Sequence, residues 1–360
     1  MASLVIPSIE SLVPYEGGKP IEELARELGV TDAVKLASNE NPLGPSPHAL
    51  EAARAVLGTA HRYPDGAAYA LRDRIAAFHG VRSDEVLQGA GSNELLDLVV
   101  RTFATPAHHV VFGEPAFVVY RIAALSGGVP FTAVPLAAHV HDLPAMAAAV
   151  RPETRVLFVA NPNNPTGTHV GRSAVETLLR EVPPEVIVVM DEAYFEYADA
   201  PDYPNSLALR GLRERLIVMR TFSKVYGLAG LRVGYAIGPA PLIDYMNRVR
   251  APFNVSAPAQ AAAIAALDDH AHLVASRELN GRERARLSAE LEGMGLAVAP
   301  SQANFVLVDL GRPARPVYDA LLRHGVIVRP FGSLPTSLRV TVGLPRENDR
   351  FLSALHKVLA

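Results

Sequence analysis

Three short polar segments carry most of the chemistry this sequence could perform: N-P-N-N-P-T-G (161–167), D-E-A-Y (191–194) and T-F-S-K (221–224). An unprotonated lysine amine condenses with an aldehyde, and desolvation or a neighbouring cation such as Arg232 would lower the pKa of Lys224 enough to allow it. A carboxylate beside a pyridine nitrogen keeps that ring protonated and so turns it into an electron sink, a role open to Asp191. A phosphate on the same ligand would seek backbone N–H groups at a helix N-terminus. G-A-G-S-N-E (89–94) lies between an apolar run and the helical stretch Leu95–Thr105. Arg232, Ser223 and Thr221 could add charge-assisted and hydroxyl contacts.

Each feature alone has a plainer reading. An aspartate after a strand often caps a helix, and a Ser-Lys pair often sits in a solvated loop. Glu94 stands where a third glycine would complete the dinucleotide fingerprint, so a nicotinamide enzyme is set aside. What joins the segments is the elements that must position them. Short apolar runs with β-branched residues recur at Val86–Leu87, His109–Phe112, Arg155–Ala160, Glu185–Met190, Leu216–Arg220 and Val233–Ile237, mostly separated by stretches of helical length. Apolar throughout rather than alternating, they predict an α/β fold with a mostly parallel, doubly wound sheet covered by helices on both faces. Three of the runs end in the three polar segments, and ligands of open parallel sheets bind outside the carboxyl ends of the strands.

The connection from Thr221 to Arg232 is barely long enough for a parallel crossover, so the next strand is expected to run antiparallel. Arg232 then shares a sheet edge with Lys224 and Asp191. After about Pro258 the pattern changes to a helical stretch, then Asn304–Val308, a helix near Pro316–His324, and short strands Val326–Arg329 and Leu338–Val342. Residues 1–35, with a helix near Ile21–Leu28, are expected to form an arm packed on a smaller C-terminal α/β domain of residues 256–360, with a large domain at 36–255.

Bulk properties narrow the partners. The 360 residues are 49% hydrophobic and 20% charged, with a net charge of -3, the composition of a globular chain with no electrostatic pull toward nucleic acid or an anionic membrane. There is no cysteine, which removes disulfides, thiolate nucleophiles and cysteine-ligated metals and makes the cytoplasm the default compartment. The N-terminus lacks a basic n-region, its apolar run is broken by Pro7 and Glu10, and no apolar run reaches membrane-spanning length. A small-molecule ligand is the expected partner. His108-His109, His139-x-His141-Asp142 and Asp268-Asp269-His270-x-His272 lie off the three convergent segments and read as surface residues, with no metal expected.

N-P-N-N-P-T-G, D-E-A-Y, T-F-S-K and G-L-A-G-L-R-V-G-Y together resemble the fold-type-I aminotransferases that use pyridoxal 5'-phosphate (PLP). More narrowly, L-V-P-Y-E-G-G-K-P (12–20), L-A-S-N-E-N-P-L-G (36–44), H-R-Y-P-D-G (61–66), S-Q-A-N-F (301–305) and L-R-V-T-V-G (338–343) resemble the class II histidinol-phosphate aminotransferases across nearly the whole chain. That resemblance implies Lys224 as the Schiff-base lysine and proton carrier and Asp191 as the partner of the pyridinium nitrogen. It implies Asn164 and Tyr194 on the phenolic oxygen, and Ser92, Asn93, Thr221, Ser223 and Arg232 on the phosphate. Tyr63 would reach the cofactor phosphate of a neighbouring subunit, making a homodimer part of the site. Arg329 and Arg339 would meet the anionic groups of the substrate, with Tyr15 and Asn39 closing over it. The implied reaction is a ping-pong exchange of L-histidinol phosphate and 2-oxoglutarate with imidazole-acetol phosphate and L-glutamate.

One departure bears on the substrate. Phe117, in E-P-A-F-V-V-Y (114–120), stands where many relatives have a tyrosine stacked on the cofactor ring. Phenylalanine stacks but donates no hydrogen bond, and it also resembles the aromatic amino acid aminotransferases. A threonine-phosphate-type decarboxylase is the third alternative on this scaffold.

Overall fold

The structure, a computed structural model, describes residues 5, 7–10, 12–14 and 17–360. Tyr15 lies outside the described residues. Its strands in chain order are β1 (Val34–Lys35), β2 (Val86–Gly89), β3 (His109–Glu114), β4 (Phe131–Pro135), β5 (Thr154–Ala160), β6 (Ile187–Asp191), β7 (Leu216–Thr221) and β8 (Gly234–Ile237). Then come β9 (Ala297–Val298), β10 (Phe305–Asp309), β11 (Val326–Ile327), β12 (Arg329–Phe331) and β13 (Leu334–Thr341).

Among the described residues the main sheet has seven strands in the order β2-β8-β7-β6-β5-β3-β4. The neighbours from β7 through β4 pair in parallel, while β8 runs antiparallel to both β7 and β2. The expected reversal after Lys224 is therefore present, and the fold is the mostly parallel α/β arrangement anticipated. Period-2 alternation explains why the strands look apolar throughout: Val156 and Phe158 enter one buried cluster, whereas Leu157 and Val159 enter another on the opposite face.

The second sheet, β12-β13-β10-β9, is antiparallel, and β1 pairs in parallel with β11. The helix Ile21–Leu28 ends on Gly29, whose positive φ of 68° lets its N–H donate back to the Ala25 carbonyl and close the last turn. Its Leu24 is buried in one cluster with Val306, Leu321, Val326 and Phe351, so the N-terminal segment packs on the C-terminal body. The helix Ala257–Asp268 instead buries Ala259, Ala262 and Ala263 against Ala49 and Phe222 beside the main sheet. By packing, the change of body expected at residue 256 falls one helix early. The helix His270–Gly293 bridges the two, placing Leu287 and Leu291 in the second core.

Two histidines read as surface residues are buried. His109 bridges strands through Thr154 and Thr132, each 2.9 Å from a ring nitrogen. His141 packs so tightly on Gly113 that a Cβ there would lie 2.1 Å from its Nδ1. Burial pulls both below the usual histidine range, His141 to about 4. Among the described residues no three His, Asp or Glu side chains converge as a metal site would require, and no helix is long and apolar enough to cross a membrane.

Candidate active site

The carboxyl ends of β5, β6 and β7 open on a cavity of about 240 Å³ lined by Asn164, Asp191, Tyr194, Thr221, Ser223 and Lys224. Ser92, Asn93, Phe117, Arg232, Asn39 and Arg339 complete the wall. A larger cleft of about 940 Å³ lies between residues 17–23 and the helix Ala314–Arg323. It holds neither Lys224 nor Asp191, so chemistry rather than size marks the site.

Local structure explains each placement. Asn161 clamps its own loop, donating to the Val170 carbonyl and accepting from the Val170 N–H at 2.9 Å. Asn163 bonds Pro115 O and Thr166 Oγ1. These two buried amides fix the turn that carries Asn164, whose Oδ1 accepts from Arg339. Asp191 is the last residue of β6 and 5% exposed. Burial pushes its carboxyl up to about 6, although the Tyr120 hydroxyl, the Ala193 N–H and Lys224 all favour the ionised form.

Lys224 is half-buried. Its Nζ lies 3.3 Å from Ser38 O and 5.5 Å from the centre of the Tyr194 ring. Desolvation is the largest influence on its amine and Arg339 the next; Glu40 opposes them, Arg232 adds a smaller push in the same direction as Arg339, and the pKa falls to about 7. The sequence suggested Arg232 as the neighbouring cation, but Arg339, from the second sheet, acts more strongly.

The anion cradle lies where the helix Ser92–Phe103 begins, at its uncapped N-terminus. Arg232 reaches across to Ala90 O and donates to Ser223 Oγ at 3.3 Å. Gly91 has φ of +82°, and a Cβ on it would lie 2.4 Å from Arg232 Nη2. The position thus requires glycine both for its backbone and for the space. Helix N–H groups, two hydroxyls and a guanidinium suit a phosphate, a buried carboxylate suits a ring nitrogen, and a lowered lysine suits an aldehyde. The residues present fit PLP.

A second cavity, about 390 Å³, shares Phe117, Asn164 and Arg339 with the first and adds Arg329, Arg121, Glu114 and Phe331. Arg329 on β12 and Arg339 on β13 are direct cross-strand partners. Like charges placed opposite each other destabilise a sheet unless something offsets them. Arg339 alternates along β13 with the buried Leu338 and Val340, and is itself only 7% exposed because its side of the strand faces the cavities rather than solvent.

Asn39 is 1% exposed and ties the parts together. It donates to Tyr194 Oη at 2.9 Å, its N–H donates to Thr341 Oγ1, and its carbonyl accepts from Asn304. Tyr63 is not brought into this cavity: it is 83% exposed and stacks on Phe253 with ring centres 4.7 Å apart.

Sequence reasoning missed two groups. Tyr120 donates to Asp191 Oδ2 at 2.7 Å. The available signal was its place one helical turn after Phe117. Glu192, next to Asp191, forms a buried ion pair with Arg220 at 2.8 Å, and Arg220 lies over the Phe195 ring.

The sequence profile described as aminotransferase class I and II matches residues 31–355. The chain is 54% identical to histidinol-phosphate aminotransferase 2 of Pseudomonas aeruginosa, over 99% of this chain and 98% of that protein. It is 49% identical to the histidinol-phosphate aminotransferase of Moorella thermoacetica, over 98% and 92%. The crystal structure of histidinol-phosphate aminotransferase from Sinorhizobium meliloti in complex with pyridoxal-5'-phosphate superposes with a TM-score of 0.91 at 31% identity, covering 100% of this chain and 98% of that one. With its lysine and aspartate at neighbouring strand ends of the same sheet, the chain belongs to the class I and II aminotransferases.

Proposed function

We propose that this chain is a PLP-dependent histidinol-phosphate aminotransferase, working as a cytoplasmic homodimer that converts L-histidinol phosphate and 2-oxoglutarate to imidazole-acetol phosphate and L-glutamate. The observation that carries it is the joint placement of a lysine lowered to about 7 and a buried carboxylate in one cavity, beside a second cavity walled by paired arginines. PLP, when bound, supplies an aldehyde that takes up and returns an amino group and a ring that withdraws electrons.

The chain's own residues do the rest. Near pH 7 a large fraction of Lys224 is the free amine, able to take a proton from the substrate carbon and return it on the other side of the exchange. Asp191, ionised above about pH 6, holds a proton on the ring nitrogen. Asn164 and Tyr194 direct an amide and a hydroxyl at the phenolic oxygen. Ser92, Asn93, Thr221, Ser223 and Arg232 hold the phosphate, and Phe117 stacks. Arg329 and Arg339 bind the anionic ends of the two substrates in turn, since a forked guanidinium accepts both phosphate and carboxylate. Tyr63, exposed on one protomer, completes the phosphate site of its partner.

Gly91→Ala tests the cradle. Holding a non-glycine residue at a φ of 82° and ψ of 167° costs about 1–3 kcal/mol, and the methyl displaces Arg232. PLP affinity, read by titrating the apoenzyme, is expected to fall at least about tenfold.

Phe117 and Phe331 in the second cavity favour one other reading, an aromatic amino acid aminotransferase. Catalytic efficiency with histidinol phosphate against phenylalanine separates the two. A hundredfold or greater preference for the phosphorylated amine, about the value of one charge-assisted contact, is expected; a preference for phenylalanine overturns the assignment.

A further inference from the structure

We propose that Tyr120 is a positioning residue for Asp191, its hydroxyl holding that carboxylate ionised and aimed at the cavity. The inference rests on the cofactor reading above and extends it.

Tyr120 is 1% exposed, and its ring is fixed on three sides. It stacks on Phe158 at 5.0 Å between centres with planes 10° apart, tilts against Phe112 at 6.1 Å and meets Phe117 edge-on at 6.1 Å. A ring so held delivers its oxygen to one place, 2.7 Å from Asp191 Oδ2. Asp191 Oδ1 accepts the Ala193 N–H at 3.3 Å, so the short, strong contact is the tyrosine's.

The surroundings otherwise disfavour charge on Asp191. It is buried, and Glu192 follows it in the chain, though Arg220 from β7 pairs with Glu192. Against these stand Lys224, from the loop after β7, the Ala193 N–H and the Tyr120 O–H. The phenols of Tyr194 and Tyr203 are the other titratable groups near enough to couple to this corner. Tyr120 is pushed well above the ordinary tyrosine range by burial and by Asp191 itself, so it remains a donor at every working pH. Without that donor the carboxyl stays protonated to higher pH and no longer holds a proton on the ring nitrogen of PLP.

The test uses the holoenzyme. Tyr120→Phe keeps the ring stack and removes only the oxygen. PLP affinity is measured at pH 6 and pH 8, together with the pH dependence of the visible absorption of the bound cofactor. The expected result is a loss of about tenfold in affinity at pH 6 with a smaller loss at pH 8, and an acid limb moved to higher pH. The opposite shift, to lower pH, is expected when Tyr120 is replaced by 3-fluorotyrosine, a stronger donor of nearly the same shape. That variant also serves if the phenylalanine protein does not fold. In an Asp191→Asn background the ratio of affinities at the two pH values should not respond to Tyr120→Phe, because nothing is left to ionise; a merely structural tyrosine would lower both affinities alike in either background. An acid limb that stays in place in the variants overturns the role of Tyr120, and failure of the unaltered protein to take up PLP overturns the cofactor reading instead.

Discussion

Replacing Lys224 by alanine is expected to lower turnover by at least about 10²–10⁴-fold, the range that proton transfer by a placed side chain supplies, and to remove the visible absorption of a lysine-bound cofactor. The physical basis is that no other side-chain amine among the described residues lines the cavity. The polar groups around Lys224 are amides, hydroxyls, carboxylates and guanidinium groups, and guanidinium groups do not deprotonate near neutral pH. Fold and PLP uptake should persist, because Asp191 comes from β6, Ser92 and Asn93 from a helix N-terminus and Arg232 from the link to β8, while Thr221 and Ser223 are themselves unchanged. Steady-state rates and an absorption spectrum decide the matter. A variant that keeps both turnover and the band would place the chemistry on another residue.

Arg339→Leu should have the second largest effect. Arg339 is nearly buried, donates to Asn164 Oδ1 and the Ala37 carbonyl, and lies 5.2–5.3 Å from the Phe305 and Phe331 rings. Leucine retains much of the apolar contact and removes the charge. Removing one partner of a buried charge pair costs about 2–5 kcal/mol, so the catalytic efficiency should fall roughly 30- to 4,000-fold for a substrate whose anion it binds. A further effect fixes the sign of a pH shift. Arg339 lowers the Lys224 amine, so its loss lets that pKa rise and moves the pH optimum toward alkaline values. Rates measured against pH for both half-reactions test both effects. An unchanged efficiency with glutamate and with the phosphorylated amine would exclude Arg339 as a substrate ligand.

Much of this was legible because strand ends write themselves into the sequence. Apolar runs breaking into Asn164, Asp191 and Lys224 place three side chains on one crevice once the sheet is parallel. The short link from β7 to β8 placed Arg232. What escaped was local signal too weak or contact too distant. β4, at the sheet edge, is only half-buried and lacks a continuous apolar run. The helix expected at Leu95 begins at Ser92, because Ser92 and Asn93 are polar where an apolar pattern was sought. Tyr120 and Asp191 meet across 71 residues, which no spacing rule reaches. His109 and His141 were misplaced because polarity was taken for exposure, whereas threonine neighbours and a close-packed glycine accommodate them inside.

Asn39 connects residues 302 positions apart through Thr341 and also holds the hydroxyl of Tyr194. Arg339, two residues before Thr341, helps make the Lys224 amine reactive. As the chain leaves the ribosome from its N-terminus, the main sheet and its lysine emerge more than a hundred residues before that arginine. Until β13 docks, the second largest influence on the Lys224 amine, after desolvation, is therefore absent. The lysine and the arginine that helps tune it thus sit on different sheets, and the tuning exists only where the two have folded together.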